Sequence, residues 1–114
     1  MPHIRESYTL PVERNVRWEG AFETDTAEAA WATEAIFFVR ALKVEGDVSG
    51  VTCRIQISPD GMHWCDEGTT FDLPSETDVV TFARVEHFGG WLRFVGETAP
   101  GSAVTVIVYL VLKG

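Results

Sequence analysis

The sequence predicts an all-β fold, an antiparallel β-sandwich or jelly roll of about eight short strands with little helix. Three observations carry this. Polar and apolar residues alternate with period two over several short segments. Turn signals built from Pro, Gly and Asp separate those segments. The final segment, Val104 to Lys113, is rich in β-branched residues and apolar on both faces. With 114 residues, the chain is expected to fold as one domain, 1–114, because a second core would leave each half too small to offset its conformational entropy.

The elements follow in chain order. Tyr8 to Pro11 and Asn15 to Phe22 carry β-forming residues and are separated by the polar Glu13-Arg14-Asn15, so the first reads as an arm or edge strand. "TDTAEAAWATEA", Thr24 to Ala35, is rich in Ala and Glu and opens on cap-competent Thr and Asp. It is expected to be a long loop with room for a short helix. Ile36 to Glu45 alternates, with Ile36, Phe38, Leu42 and Val44 on one side and Phe37, Val39 and Ala41 on the other, Arg40 interrupting the first set. Val51 to Ser58 reads as half-buried, with Val51, Cys53, Ile55 and Ile57 inward and Thr52, Arg54, Gln56 and Ser58 outward.

Ser58-Pro59-Asp60-Gly61 suits a type I turn. Proline fixes φ at its second position, and Gly61 accepts the positive φ of a bulge. The turn makes a hairpin with a return strand from Met62 to Thr70. Phe71 to Asp78, containing Pro74, is a loop, and Asp78 to Glu86 alternates again. Gly89-Gly90 breaks the chain before "WLRFVGE". In the last strand Val104, Val106, Val108, Leu110 and Leu112 lie on one face and Ile107, Tyr109 and Val111 on the other. Such a strand belongs in the middle of a sheet covered on both sides, the second cover coming from this chain or from a neighbouring subunit.

Charge and composition narrow the function classes. Nine Lys and Arg against seventeen Asp and Glu give a net charge of −8, which repels phosphate backbones, so nucleic acid is not an expected partner. The N-terminus does not read as a secretory signal, and no apolar run is long enough to span a bilayer as a helix. A cytoplasmic or virion-associated protein with no membrane segment is expected. Cys53 and Cys65 flank the hairpin, and with a three-residue loop they lie on one face but diagonally offset, which suits a disulfide poorly, so two reduced core cysteines are expected.

No nucleophile–base motif, phosphate loop or dinucleotide fingerprint is present, so neither catalytic residues nor a cofactor is expected. His3, His63 and His87 are scattered, and His63 with Cys65 and Asp66 is too weak a pattern to predict a metal site. Asp66, Glu67, Asp72, Glu76 and Asp78 read as a solvated acidic edge. Trp18, Trp31, Trp64 and Trp91 are the residues best suited to stack on a sugar or anchor an interface. For Trp64 the loop length decides. A three-residue loop pairs it with Gln56 on the polar side and leaves the ring available, whereas a four-residue loop pairs it with Ile57 and buries it.

"QISPDGMHW", Gln56 to Trp64, resembles the S-x-D-G-x-x-W strand-turn-strand signature of discoidin-like sugar- and lipid-binding sandwiches. Together with "LRF" at Leu92 to Phe94 and "VTVIVYLVLK" at Val104 to Lys113, it also resembles small β-sandwich proteins of tailed bacteriophages and prophages. The discoidin-like domains are longer and bind through end loops that have no match here, so no binding residue is carried over from them. The phage-like resemblance implies a virion or virion-associated protein assembled as a symmetric oligomer. The surplus of apolar strand surface in so small a chain predicts a non-enzymatic structural or accessory protein that forms a homo-oligomer such as a trimer. The alternative is a carbohydrate-binding module that uses Trp64 with His63 and Asp60 on a glycan.

Overall fold

The computed structural model describes residues 7–114. Nine strands run in order: β1 (Ser7–Glu19), β2 (Ala21–Glu23), β3 (Ala27–Glu28), β4 (Glu34–Glu45), β5 (Thr52–Ser58), β6 (Cys65–Asp72), β7 (Val80–Glu86), β8 (Trp91–Glu97) and β9 (Ala103–Lys113). No helix occurs among the described residues. Sheet A has the order β1-β9-β4-β7, and sheet B the order β2-β8-β5-β6 with β3 also on β8. Every strand pairing is antiparallel. The doubly apolar β9 lies inside sheet A between β1 and β4, the position its composition requires.

Several boundaries differ from expectation. The first two segments are one 13-residue strand, because bulges between Pro11, Glu13 and Val16 absorb the polar insert without breaking the ladder to β9. Asn15 adopts φ 58 inside that irregularity. The break comes instead at Gly20, whose φ of 78 turns the chain out of sheet A and into β2 of sheet B. Strands β1, β4 and β9 are therefore long rather than short.

The Ala-rich segment forms no helix. Ala27 and Glu28 pair with Leu92 and Trp91, while the Thr24 amide donates to the Phe94 carbonyl at 3.0 Å and the Phe94 amide to the Thr24 hydroxyl at 3.2 Å. Helical propensity in alanine yields here to a free β8 edge that needs hydrogen-bond partners. In β4 a bulge after Ala41 reverses the alternation, so Val44 pairs with the buried Val104 and packs on the core rather than lying beside Phe38. Leu73 and Pro74 are buried in the connection from β6 to β7, and Val80, not Asp78, opens β7.

One apolar cluster fills the space between the sheets. Phe37, Val39 and Ala41 from β4 and the even-numbered residues of β9 meet Cys53, Ile55, Leu92 and Phe94 of sheet B. Phe94 is the hub, with edge-on contacts to Trp18, Phe37 and Phe71 at centroid distances of 5.7, 5.3 and 5.1 Å. Trp18 in turn stacks on Phe22 at 4.3 Å, tying the edge of sheet A to β2.

This stack depends on Gly96, paired with Phe22, where an added Cβ would fall 2.5 Å from the Phe22 ring. Gly96→Ala is therefore expected to lower stability by roughly 1–3 kcal/mol, through displacement of Phe22 and Trp18. Urea unfolding monitored by tryptophan fluorescence measures this directly. An unchanged midpoint contradicts it.

Candidate functional site

The loop between β5 and β6, residues 59–64, is organised by the side chain of Ser58, which ends β5, and by that of Asp60 within the loop. The Ser58 hydroxyl accepts from the Asp60 and Gly61 amides at 3.2 and 2.8 Å. One Asp60 oxygen accepts from the Met62 and His63 amides at 2.8 and 2.9 Å and from the Ser58 hydroxyl at 3.0 Å. His63 Nδ1 lies 2.7 Å from the other Asp60 oxygen. Gly61 has the expected positive φ, 79°, and its Cα faces the Trp91 ring so closely that a Cβ would sit 3.2 Å from the indole.

The His63 and Met62 amides, followed by the His63 side chain, hold the Asp60 carboxyl far below its ordinary value of 3.8. Because the folded value is depressed, the bonds to Asp60 are fully present above pH 3.8. They are lost only as pH falls through the much lower folded value. The Met62 and His63 amide resonances are thus expected to hold their positions while free carboxylates titrate, and to move in Asp60→Asn at neutral pH. Movement in the wild type through the ordinary carboxylate range contradicts this account.

The loop is longer than either register considered for Trp64. Ile57 pairs with Cys65 and Gln56 with Asp66, which places Trp64 one step beyond the ladder, opposite Ser58. The extra length arises because Asp60 folds the chain into its own capped loop instead of closing a tight hairpin. The return strand accordingly starts at Cys65, not Met62. Trp64 lies on the outward side of sheet B, half-buried, with the Arg93 guanidinium 4.3 Å from its ring centroid.

Arg93 belongs to a hydrogen-bonded row across the outer face of sheet B. Its Nε donates to the Gln56 carbonyl oxygen at 2.8 Å and its Nη1 to Glu23 at 2.7 Å. The Gln56 amide donates to one Asp66 oxygen at 3.0 Å, and Arg54 donates to the other at 3.1 Å. A groove of about 460 Å³ runs beside this row, with Val95 among its lining residues. Of the three residues singled out for ligand binding, Asp60 and His63 are engaged with each other, and Trp64 sits with a different set. Gln56, Arg93, Arg54 and Glu23 give no local signal for this row, because Arg93 lies 37 residues from Gln56 and 70 from Glu23, and Asp66 stands out in the sequence only beside His63 and Cys65 and in the acidic edge.

The outer face of sheet A differs in character. Pro11, Tyr109, Phe38 and Phe82 are successive cross-strand partners on β1, β9, β4 and β7, forming an apolar band across the whole sheet. Ile36 with Val111, and Val80 with Ile107 across Arg40, extend it on either side. Val80, Phe82 and Tyr109 remain 50%, 48% and 39% exposed, so the second face of β9 is not covered by the described chain. Arg84 sits 5.2 Å from the Phe82 ring centroid.

The remaining candidates are dispersed. Trp18 is in the core, Trp31 is exposed, and Trp91 lies under the loop at Gly61. Both cysteines are free, Cys53 buried and Cys65 exposed, so Cys65, the first residue of the edge strand β6, is not the core residue expected. Burial, and secondarily the charge of Asp72, pushes the Cys53 thiol up to about 12, which makes it inert at neutral pH. Of the acidic edge, Asp66 is tied into the row and Glu67 accepts from the Thr69 amide at 2.9 Å. Among the described residues no three His, Cys, Asp or Glu converge in a metal-binding arrangement; His3 lies outside them.

The sequence matches no protein-family model and no curated protein. Among solved structures, the crystal structure of SPBc2 prophage-derived protein YomS aligns with a TM-score of 0.63 at 7% identity, over 100% of this chain and 98% of that one. The structure of infectious bursal disease virus, Gx strain, aligns with a TM-score of 0.51 at 11% identity, over 95% of this chain and 32% of that one. This chain thus spans about a third of the viral chain. The fold is a β-sandwich, shared with a prophage-derived protein over 100% of this chain and 98% of that one.

Proposed function

We propose that this protein is a non-enzymatic structural or accessory subunit of a phage-like particle, and that it self-assembles through the outer face of sheet A. The carrying observation is the band Pro11–Tyr109–Phe38–Phe82, an apolar surface that the described chain leaves uncovered. Its fold relatives, a prophage-derived protein and a viral structure, support a role within a particle.

A second copy of the chain is the occupant that charge favours. Arg17, Arg40, Lys43, Arg84 and Lys113 project on this face against Glu19, Glu34, Glu45 and Glu86, so more than half of the nine basic residues gather on one side of a chain with net charge −8. The rest of the surface is strongly acidic and repels its own copy. The near-neutral apolar face is where two copies approach without that repulsion. Symmetric association buries the same band on each partner, which accounts for apolar residues on both faces of β9. The assembly takes neither nucleic acid nor a cofactor.

Light scattering on the purified chain tests this reading. A stable oligomer at micromolar concentration supports it, whether trimer or another closed state, and a monomer refutes it. Glycan recognition is a second role, assigned to the opposite sheet, and its support is the Trp64 indole held in a polar row rather than in the core.

A further inference from the structure

We infer that the outer face of sheet B binds a short neutral oligosaccharide along the row formed by Glu23, Arg93, Gln56, Asp66 and Arg54, with Trp64 flanking the row at Arg93. This deepens the glycan reading and is independent of self-assembly through sheet A. The row crosses β2, β8, β5 and β6, three interstrand spacings or about 14 Å, the length of a short saccharide chain.

Its chemistry suits hydroxyl groups. Carboxylates, a carboxamide and guanidinium groups present paired donors and acceptors in fixed planes, the arrangement that recognises neighbouring hydroxyls on a ring. The side chains are already oriented by one another, since Gln56 is held from both sides by Arg93 and Asp66 at 2.8 and 3.0 Å. A ligand therefore loses little affinity to ordering them. Arg93 is held most firmly, with its side chain only 18% exposed between Glu23, Gln56 and the Trp64 ring.

Charge selects the class of ligand. Arg54 and Arg93 balance Glu23 and Asp66, so the row is neutral on a chain of net charge −8. An anionic sugar would meet an unfavourable field from the rest of the surface, and a cationic ligand would find both carboxylates already paired. The groove beside the row, about 460 Å³ and lined by Val95, Phe22 and Ala21 as well as the charged groups, offers apolar surface to the carbon faces of a sugar.

The test is a glycan array carrying neutral and sialylated oligosaccharides, probed with the full chain and followed by calorimetry on the best neutral ligand. Gln56→Ala and Glu23→Ala are the informative variants, since both positions lie on the outer face and leave the core intact. Each is expected to weaken binding about tenfold or more while the protein still unfolds cooperatively, with a melting temperature lowered by only a few degrees, about what one lost hydrogen bond costs. Trp64→Ala is expected to weaken it as well. Binding to no neutral glycan, binding restricted to sialylated ones, or affinity unaltered in both Gln56→Ala and Glu23→Ala overturns the inference. Light scattering on the same samples separates this outcome from that of self-assembly, because the sheet B variants leave the oligomer unchanged if only the glycan site is lost.

Discussion

Phe82→Glu is expected to abolish the self-association proposed for sheet A while leaving the fold intact. Phe82 lies at the end of the apolar band, faces Phe38 across β7 and β4, and is 48% exposed in the isolated chain. Burying a phenylalanine side chain contributes roughly 1.5–3 kcal/mol, and in a symmetric interface the substitution acts in every copy. Removing that contribution and placing a carboxylate against an apolar surface should weaken association by about a hundredfold or more. The melting temperature of the separated monomer should change little, because the ring is not part of the core between the sheets. Sedimentation velocity of the variant beside the wild type reads the first effect, and thermal unfolding reads the second. An oligomer that survives Phe82→Glu is not held by this face.

The largest expected loss of stability comes from Phe94→Ala. Phe94 is fully buried and touches three aromatic rings drawn from β1, β4 and β6, so its removal opens a cavity that Trp18, Phe37 and Phe71 cannot jointly close. A cost of about 3–5 kcal/mol is expected, a large fraction of the stability of a domain this size. Chemical denaturation gives the value. A loss below about 1 kcal/mol shows that the sheets are not held together through this hub.

Much of the fold is legible in the sequence, and for definite reasons. The period-two segments name β4, β5 and β7, the Gly89-Gly90 break sets off β8, and the doubly apolar pattern places β9 inside a sheet. What escapes is set by tertiary pairing. The Ala-rich stretch became β3 because β8 offered it an edge, and the polar insert at Glu13-Arg14-Asn15 stayed in β1 because bulges can accommodate extra residues. Both events depend on partners distant in the chain.

The candidate site was legible only in part. Pro59-Asp60-Gly61 announced the turn, and Trp64 drew attention as an aromatic on a polar strand. The ligand set proposed with it, Asp60 and His63, is engaged within the loop, which no pattern of residue types reveals. Gln56 and Arg93 appear in the sequence as ordinary outward polar positions. Only the register of β5 on β8 makes them neighbours. The apolar band on sheet A, in contrast, was visible in β9 as a surplus of hydrophobic surface; the structure shows that the described chain does not cover it.

Self-assembly through the outer face of sheet A is most directly tested by the mass of the wild-type protein in solution. Size-exclusion chromatography with multi-angle light scattering at micromolar concentration is expected to give a discrete multiple of the 12.6 kDa chain. A stable species of one chain mass, persisting as concentration is raised, contradicts the account.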